Sequence, residues 1–272
     1  MNLAGIIPVA GQKSVFGLPW HDVLMPIGDN FCAIERAIAE CLYAGCKSIW
    51  IICSIDQEPL MRFRLGDKAK DPESFSKLRR EKREFDVCIY YIPILVHDMI
   101  RRNCLPWSII HGVNSVDRTL KKLSPHLVPE KFYVAFPYGV YEPKITSSNR
   151  GLIKKPSTNV LLSYDGQTVR DGNYLGFTLN VEKAKELGQF LKQKSYTSPE
   201  KYAARNFTLE DIFSVMQYES EDIVPIDNYY ELSSWQEYAE GLNNGEEIKK
   251  QKSLFPQKEW NGIGVNDEDD AY

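Results

Sequence analysis

A chain of 272 residues with 43% apolar content is long enough for one large domain or two small ones, and it argues against wholesale disorder. Its formal net charge of −4 gives no overall cationic field, so nonspecific attraction to nucleic acid or to an anionic membrane is not expected. Residues 1–8 have no positive leading region and no stretch is apolar enough to span a bilayer, so the sequence predicts a cytoplasmic protein without a membrane partner.

Residues 3–10 form an apolar run closed by Gly11 and a polar turn, the pattern of a strand buried on both faces. Over 31–44, Ala33, Ile34, Ala37, Ile38, Cys41 and Leu42 recur at helical spacing, and Gly45 supplies the stop. A second apolar run at 48–53 completes a βαβ unit. Residues 62–85 carry nine Lys and Arg against five Asp and Glu, which predicts a solvated insertion or surface helix. The sharper reading of that stretch is a docking face for a phosphate-rich partner. Strands are expected over 86–93 and 131–136, with a helix over 115–123 between them.

After Pro143 the composition changes. Residues 146–157 are rich in turn formers and predict a loop, and two strands, 159–164 and 173–179, flank the Asp165-Gly166 turn as an antiparallel pair. A helix is expected over 181–194. Thr208-Leu209-Glu210-Asp211 has capping-box spacing, and Ser233-Ser234-Trp235-Gln236-Glu237 signals the start of a last helix. The end of the chain, from Lys249 to Asp267-Glu268-Asp269-Asp270 and beyond, is an acidic tail, read as mobile or ordered by a partner. The alternation predicts an α/β class: a Rossmann-like, mainly parallel sheet with helices on both faces and a small antiparallel addition, over residues 1–245, with the tail at 246–272. The six cysteines fall within the first 104 residues without a Cys-x-x-Cys pair, and are expected to be reduced core thiols.

The ordered segments Ala4-Gly5-Ile6-Ile7-Pro8-Val9-Ala10-Gly11, Leu24-Met25-Pro26-Ile27-Gly28-Asp29 and Glu40-Cys41-Leu42-Tyr43-Ala44-Gly45 carry chemistry-bearing spacing over about the first 55 residues. A strand that ends in a glycine turn lets backbone N–H groups approach a base and phosphates without side-chain obstruction. This layout resembles the opening of the nucleotide-diphospho-sugar transferases, the GT-A-like superfamily, and most of all the glucose-1-phosphate thymidylyl- and uridylyltransferases.

The resemblance implies a nucleotide-binding turn at Ala10, Gly11, Gln12, Lys13 and Ser14, a substrate loop at His111 and Gly112, and Mg2+ if the protein is active. It also implies an arginine and a lysine for the triphosphate, and an aspartate at the end of a strand near 136. At those places the chain has Val15, Asp22 and Tyr138-Gly139. Lys13 is left as the candidate cation and Glu231, in Tyr229-Tyr230-Glu231-Leu232-Ser233, as the candidate catalytic or metal-binding carboxylate. Loss of two cations and a metal ligand would remove much of the electrostatic stabilisation that phosphoryl transfer needs. The implied function is thus a nucleotidyltransferase-like protein with weakened or lost catalysis, binding a nucleotide or sugar phosphate. The alternatives are an active Mg2+-dependent enzyme making a nucleotide-sugar, and a structural subunit of a larger assembly, a virion included, with residues 62–85 and the acidic tail as protein contacts. A glycosyltransferase on the same fold is the reading least supported, because the sole Asp-x-Asp spacing is Asp267-x-Asp269 in the tail.

Overall fold

The computed structural model describes residues 2–72, 86–197, 206–244 and 255. An eight-stranded mixed sheet organises them. β1 (Leu3–Pro8), buried along its length, lies between β4 (Ser48–Cys53) and β7 (Lys131–Val134) and runs parallel to both. β6 (Asp86–Pro93) continues parallel beside β4, and β5 (Lys68–Lys70) closes that edge antiparallel. On the other side β10 (Phe177–Leu179) is antiparallel to β7 and to β9 (Asn159–Ser163), and β11 (Glu221–Pro225) lies parallel to β9 at the far edge. Two small ladders stand apart: β2 (Pro26–Gly28) with β3 (Phe31–Cys32), and β8 (Gly139–Val140) with β12 (Tyr230–Glu231).

The helices are α1 (Ala33–Ala44), α2 (Glu58–Leu65), α3 (Val96–Arg102), α4 (Leu105–Leu123), α5 (Ile145–Ser148), α6 (Arg150–Ile153), α7 (Val181–Thr197), α8 (Leu209–Phe213) and α9 (Trp235–Asn244). Two neighbouring residues of β1 show how the layers form. A Cβ on Gly5 would meet Cys41 of α1 at 2.7 Å, whereas Ile6 lies beside Gly112 of α4. Successive strand residues point to opposite faces, so α1 covers one face of the sheet and α4 the other. Glycine is needed at both contacts, because Gly112 presses on the Ile52 side chain as closely as Gly5 does on Cys41.

Helix α1 ends as its sequence predicts. Gly45 takes the left-handed conformation at φ +84°, and the N–H groups of Gly45 and Cys46 close on the carbonyls of Leu42 and Cys41. The capping box at Thr208 is also formed, with Asp211 accepting from the Thr208 N–H at 3.0 Å and Thr208 Oγ1 accepting from the Asp211 N–H at 3.2 Å. Of the described helices, none is long and apolar enough to cross a membrane.

Several expectations need correction. The helix expected over 115–123 begins ten residues earlier, at Leu105, so His111 and Gly112 lie within α4 and not in a loop. Buried Leu105, Ile109, Ile110, Val113 and Val116 continue the helical stripe without a break, and tertiary packing carries the helix through Gly112. The stretch 62–85 is not one insertion: its first residues finish α2 and the next form the edge strand β5, while 73–85 lie outside the described residues, as does the tail from 256 onward with its Asp-x-Asp. The turn-rich stretch 146–157 holds most of α5 and all of α6. The antiparallel pair around Asp165-Gly166 is present, but the second strand is confined to Phe177–Leu179.

A buried polar network crosses the α1 face. The Arg36 guanidinium donates to Glu40 at 2.9 Å and to the Phe136 carbonyl at 2.5 Å, and it stacks over the Tyr141 ring at 4.3 Å. Glu40 Oε1 in turn accepts from the hydroxyls of Tyr133 at 2.5 Å and Tyr141 at 2.6 Å. Both members of the ion pair are fully shielded from solvent. On β7, buried Lys131 donates to the carbonyls of Ile153, Lys155 and Thr158, which ties the strand to the end of α6; burial pulls its pKa down to about 8.

Candidate functional site

The turn after β1 is built from backbone hydrogen bonds. The N–H groups of Val9 and Ala10 both donate to the Ile52 carbonyl, at 2.9 and 3.0 Å. The Tyr138 hydroxyl donates to the Val9 carbonyl at 2.8 Å, and Ser108 Oγ to the Ala10 carbonyl at 2.5 Å. Gly11 then turns the chain at φ +89°, and a Cβ there would lie 2.3 Å from the carbonyl carbon of Cys104. Only glycine combines that conformation with so close an approach to the start of α4.

Beyond the turn opens a cleft of about 640 Å³ at the C-terminal ends of the parallel strands, the usual place for a ligand in an open α/β sheet. Gly11, Gln12 and Lys13 line it together with Asn173, Tyr174, Thr208 and Glu231. The structure therefore brings Lys13 and Glu231, far apart in sequence, around one cavity. Ala10 and Ser14 stand behind the lining: Ala10 is buried, and Ser14 points its hydroxyl at Asp22. His111 and Gly112 belong elsewhere, on α4.

Glu231 arrives through the β8–β12 ladder, where it pairs with Gly139. A Cβ on Gly139 would lie 2.2 Å from the Tyr174 carbonyl oxygen, so no carboxylate fits at that position. Burial pushes the Glu231 carboxyl up, opposed by a hydrogen bond from the Tyr229 hydroxyl. Opposite, Gln12 Nε2 donates to the Tyr174 hydroxyl at 3.1 Å, and Lys13 Nζ to Asn206 Oδ1 at 3.3 Å. Sequence reading missed Asn173, Tyr174 and Asn206. A signal for the first two was present in Thr168-x-x-Asp171-Gly172, a capping box followed by a glycine stop that ends a short helical turn immediately before them.

Mg2+ requires several oxygen ligands, and waters and substrate phosphates commonly add to one or two carboxylates. Among the described residues no group of three His, Cys, Asp or Glu side chains could hold a metal ion, and Glu231 already accepts from the Tyr229 hydroxyl. Among the described residues Glu231 would offer a carboxylate oxygen to a Mg2+ ion, whose other ligands would come from water and substrate phosphates.

Asp22 explains much of the loop. It is buried, accepts from Ser14 Oγ at 2.8 Å and from the Val15 N–H at 2.6 Å, and so pins residues 14 and 15. Val15 itself is 43% exposed, and Phe16 packs against Trp235 and Tyr238 in a second small core away from the cleft. Neither Phe16 nor Trp20 lines the cavity. Replacing Asp22 by asparagine keeps one acceptor oxygen and sets an amide against the other donor. The expected result is a loss of about 1.5–3 kcal/mol in urea unfolding, with faster amide exchange at Val15.

No protein-family model matches the chain, and no curated protein matches it. Solved structures do. A protein described as a glucose-1-phosphate thymidylyltransferase from Bacillus anthracis, in complex with sucrose, superposes with a TM-score of 0.61 at 9% identity, covering 93% of this chain and 98% of that one. A UDP-glucose pyrophosphorylase complexed with UDP-glucose gives 0.56 at 15% identity over 89% and 98% of the two chains. A UTP-bound pyrophosphorylase from Acinetobacter baumannii gives 0.55 at 13% over 89% and 93%. At such identities the likeness is one of architecture, and the chain carries the α/β fold of the sugar-1-phosphate nucleotidyltransferases.

Proposed function

We propose that this chain is a nucleotide- or sugar-phosphate-binding protein on a nucleotidyltransferase fold, with weakened or lost catalysis. The observation that carries the reading is the charge of the cleft. Among the described residues that line it Lys13 is the single cation, whereas Asp171, Glu210 and Glu231 all contribute carboxylates. From the described lining a triphosphate approaching its reaction would meet three carboxylates and one ammonium, and each missing electrostatic contact costs on the order of 10²–10³ in rate.

Asp22 strengthens the argument. Where the resemblance asks for a lysine, the carboxylate is fixed inward by two donors and serves the loop. Of the remaining lining, Gln12, Asn173, Tyr174, Asn206 and Thr208 offer amides and hydroxyls suited to sugar hydroxyls, beside the apolar Leu105, Phe207 and Leu209. UDP-glucose and UTP are bound in two of the structures of similar fold, which supports the choice of ligand class.

The test combines two assays on the full chain. With Mg2+, a panel of nucleoside triphosphates and hexose 1-phosphates is expected to give no pyrophosphate release at ordinary enzymatic rates. UDP-glucose or UTP at well above its Kd is expected to raise the melting temperature, and Lys13→Ala is expected to reduce that rise. Sustained pyrophosphate release would establish an enzyme and overturn the reading. Neither response, with defined oligomers or co-purifying partners, would favour the structural subunit.

A further inference from the structure

On the far side of α4 from the sheet lies a second cavity, a groove of about 450 Å³ between α4 and α7. Its floor exists because Gly188 of α7 has no side chain: a Cβ there would meet Ile110 of α4 at 3.1 Å. Around the floor stand Arg118, Lys185 and Lys192, all exposed, with His111, Asn114 and Gln189 between them. Among the described residues no carboxylate pairs with any of those three cations. The lining acid, Asp117, accepts from the exposed Lys121 ammonium at 2.8 Å through Oδ2, while its buried Oδ1 has no hydrogen-bond partner among the described residues. At one end the Trp107 ring is buried with its indole N–H unpartnered, with the Arg102 guanidinium 4.8 Å and the Lys192 ammonium 5.9 Å from its centroid.

This groove is the electrostatic inverse of the cleft. Three cations that pair with no carboxylate among the described residues line one concave surface in a protein that is acidic overall. We propose that the α4–α7 groove is a second binding site, for a small phosphate-bearing anion held by Arg118 with Lys185 and Lys192. A planar guanidinium suits two phosphate oxygens at once, and the two flexible ammonium groups close on the remaining charge. The half-buried His111 and Asn114 and the exposed Gln189 supply neutral donors for whatever the phosphate carries. Burial pulls the His111 pKa down, opposed by the Asp98 carboxylate and aided by the Arg118 guanidinium, which favours the neutral ring.

The indole N–H of Trp107 gives a local reporter. In proton–nitrogen spectra of the full chain, with the Trp107 signal identified by Trp107→Phe, titration with inorganic pyrophosphate and separately with ribose 5-phosphate is expected to shift that signal saturably at about 150 mM salt. Arg118→Ala combined with Lys192→Ala is expected to weaken the response at least about tenfold. Lys13→Ala, in the cleft, and Lys122→Ala, an exposed cation outside the groove, are expected to leave it unchanged. A ribose 5-phosphate response tighter than that to pyrophosphate identifies an organic monoester as the ligand, and the reverse order an inorganic anion. A Trp107 signal that stays still, or one that responds equally in the Arg118 and Lys192 double variant, overturns the proposal. The outcome is independent of whether the cleft binds a nucleotide.

Discussion

Replacing Glu40 by alanine is expected to cost about 3–5 kcal/mol in urea unfolding, and to lower the melting temperature by roughly 6–20 °C. The magnitude follows from what stays behind. Arg36 is fully buried, and without Glu40 its charge keeps the Phe136 carbonyl and Tyr141 as partners among the described residues but no counter-ion. Burial, more than any neighbour, holds the hydroxyls of Tyr133 and Tyr141 protonated, so both would be donors aimed at an empty place. Glu40→Gln keeps the shape and one acceptor oxygen, and is expected to fall between wild type and alanine. The double change Arg36→Met with Glu40→Leu is expected to cost less than Glu40→Ala alone, because it leaves no uncompensated charge in the core. A double variant as unstable as the alanine single variant would show that the pair stabilises by more than mutual neutralisation. The network also reaches the cleft: Tyr141 accepts from the Gly176 N–H at 3.0 Å, two residues beyond Tyr174.

How much of this was legible in the sequence depends on whether the signal was local. The first βαβ unit could be read because strand 3–8 is apolar throughout and α1 has both its periodicity and its glycine stop. Gly11, Gln12 and Lys13 of the expected turn line the cleft, as a glycine that turns the chain after a buried strand leads one to expect. Glu231 could be suspected by position, yet its pairing with Gly139 is a contact across some ninety residues that no local pattern encodes. His111 was misplaced because a glycine beside it reads as a loop. In the fold that glycine lets α4 sit down on Ile52. The role of Asp22 was invisible for a different reason: the sequence shows a carboxylate where a lysine was expected, but not that its two oxygens face Ser14 and Val15.

Gly11→Ala provides the sharpest test of the turn, with an expected loss of about 3 kcal/mol or more and of cleft binding with it. Two costs combine. A left-handed conformation at an alanine costs about 1–2 kcal/mol on its own. The new methyl would also lie 2.3 Å from the Cys104 carbonyl carbon and 2.8 Å from the Leu105 nitrogen, and backbone at the start of a helix cannot rotate aside as a side chain does. Relief requires the turn to lift away from α4, which stretches the Ser108 bond to the Ala10 carbonyl and the pair of N–H bonds to Ile52. Gly17 isolates the first cost from the second. It sits at φ +65° with nothing within 4 Å of a built Cβ, so Gly17→Ala is expected to show the conformational cost alone. Equal losses for the two variants in urea unfolding would mean that the turn does not rest on α4. A loss at Gly11 larger by about 1–2 kcal/mol would show that the same contact that shapes the cleft also holds the sheet to α4.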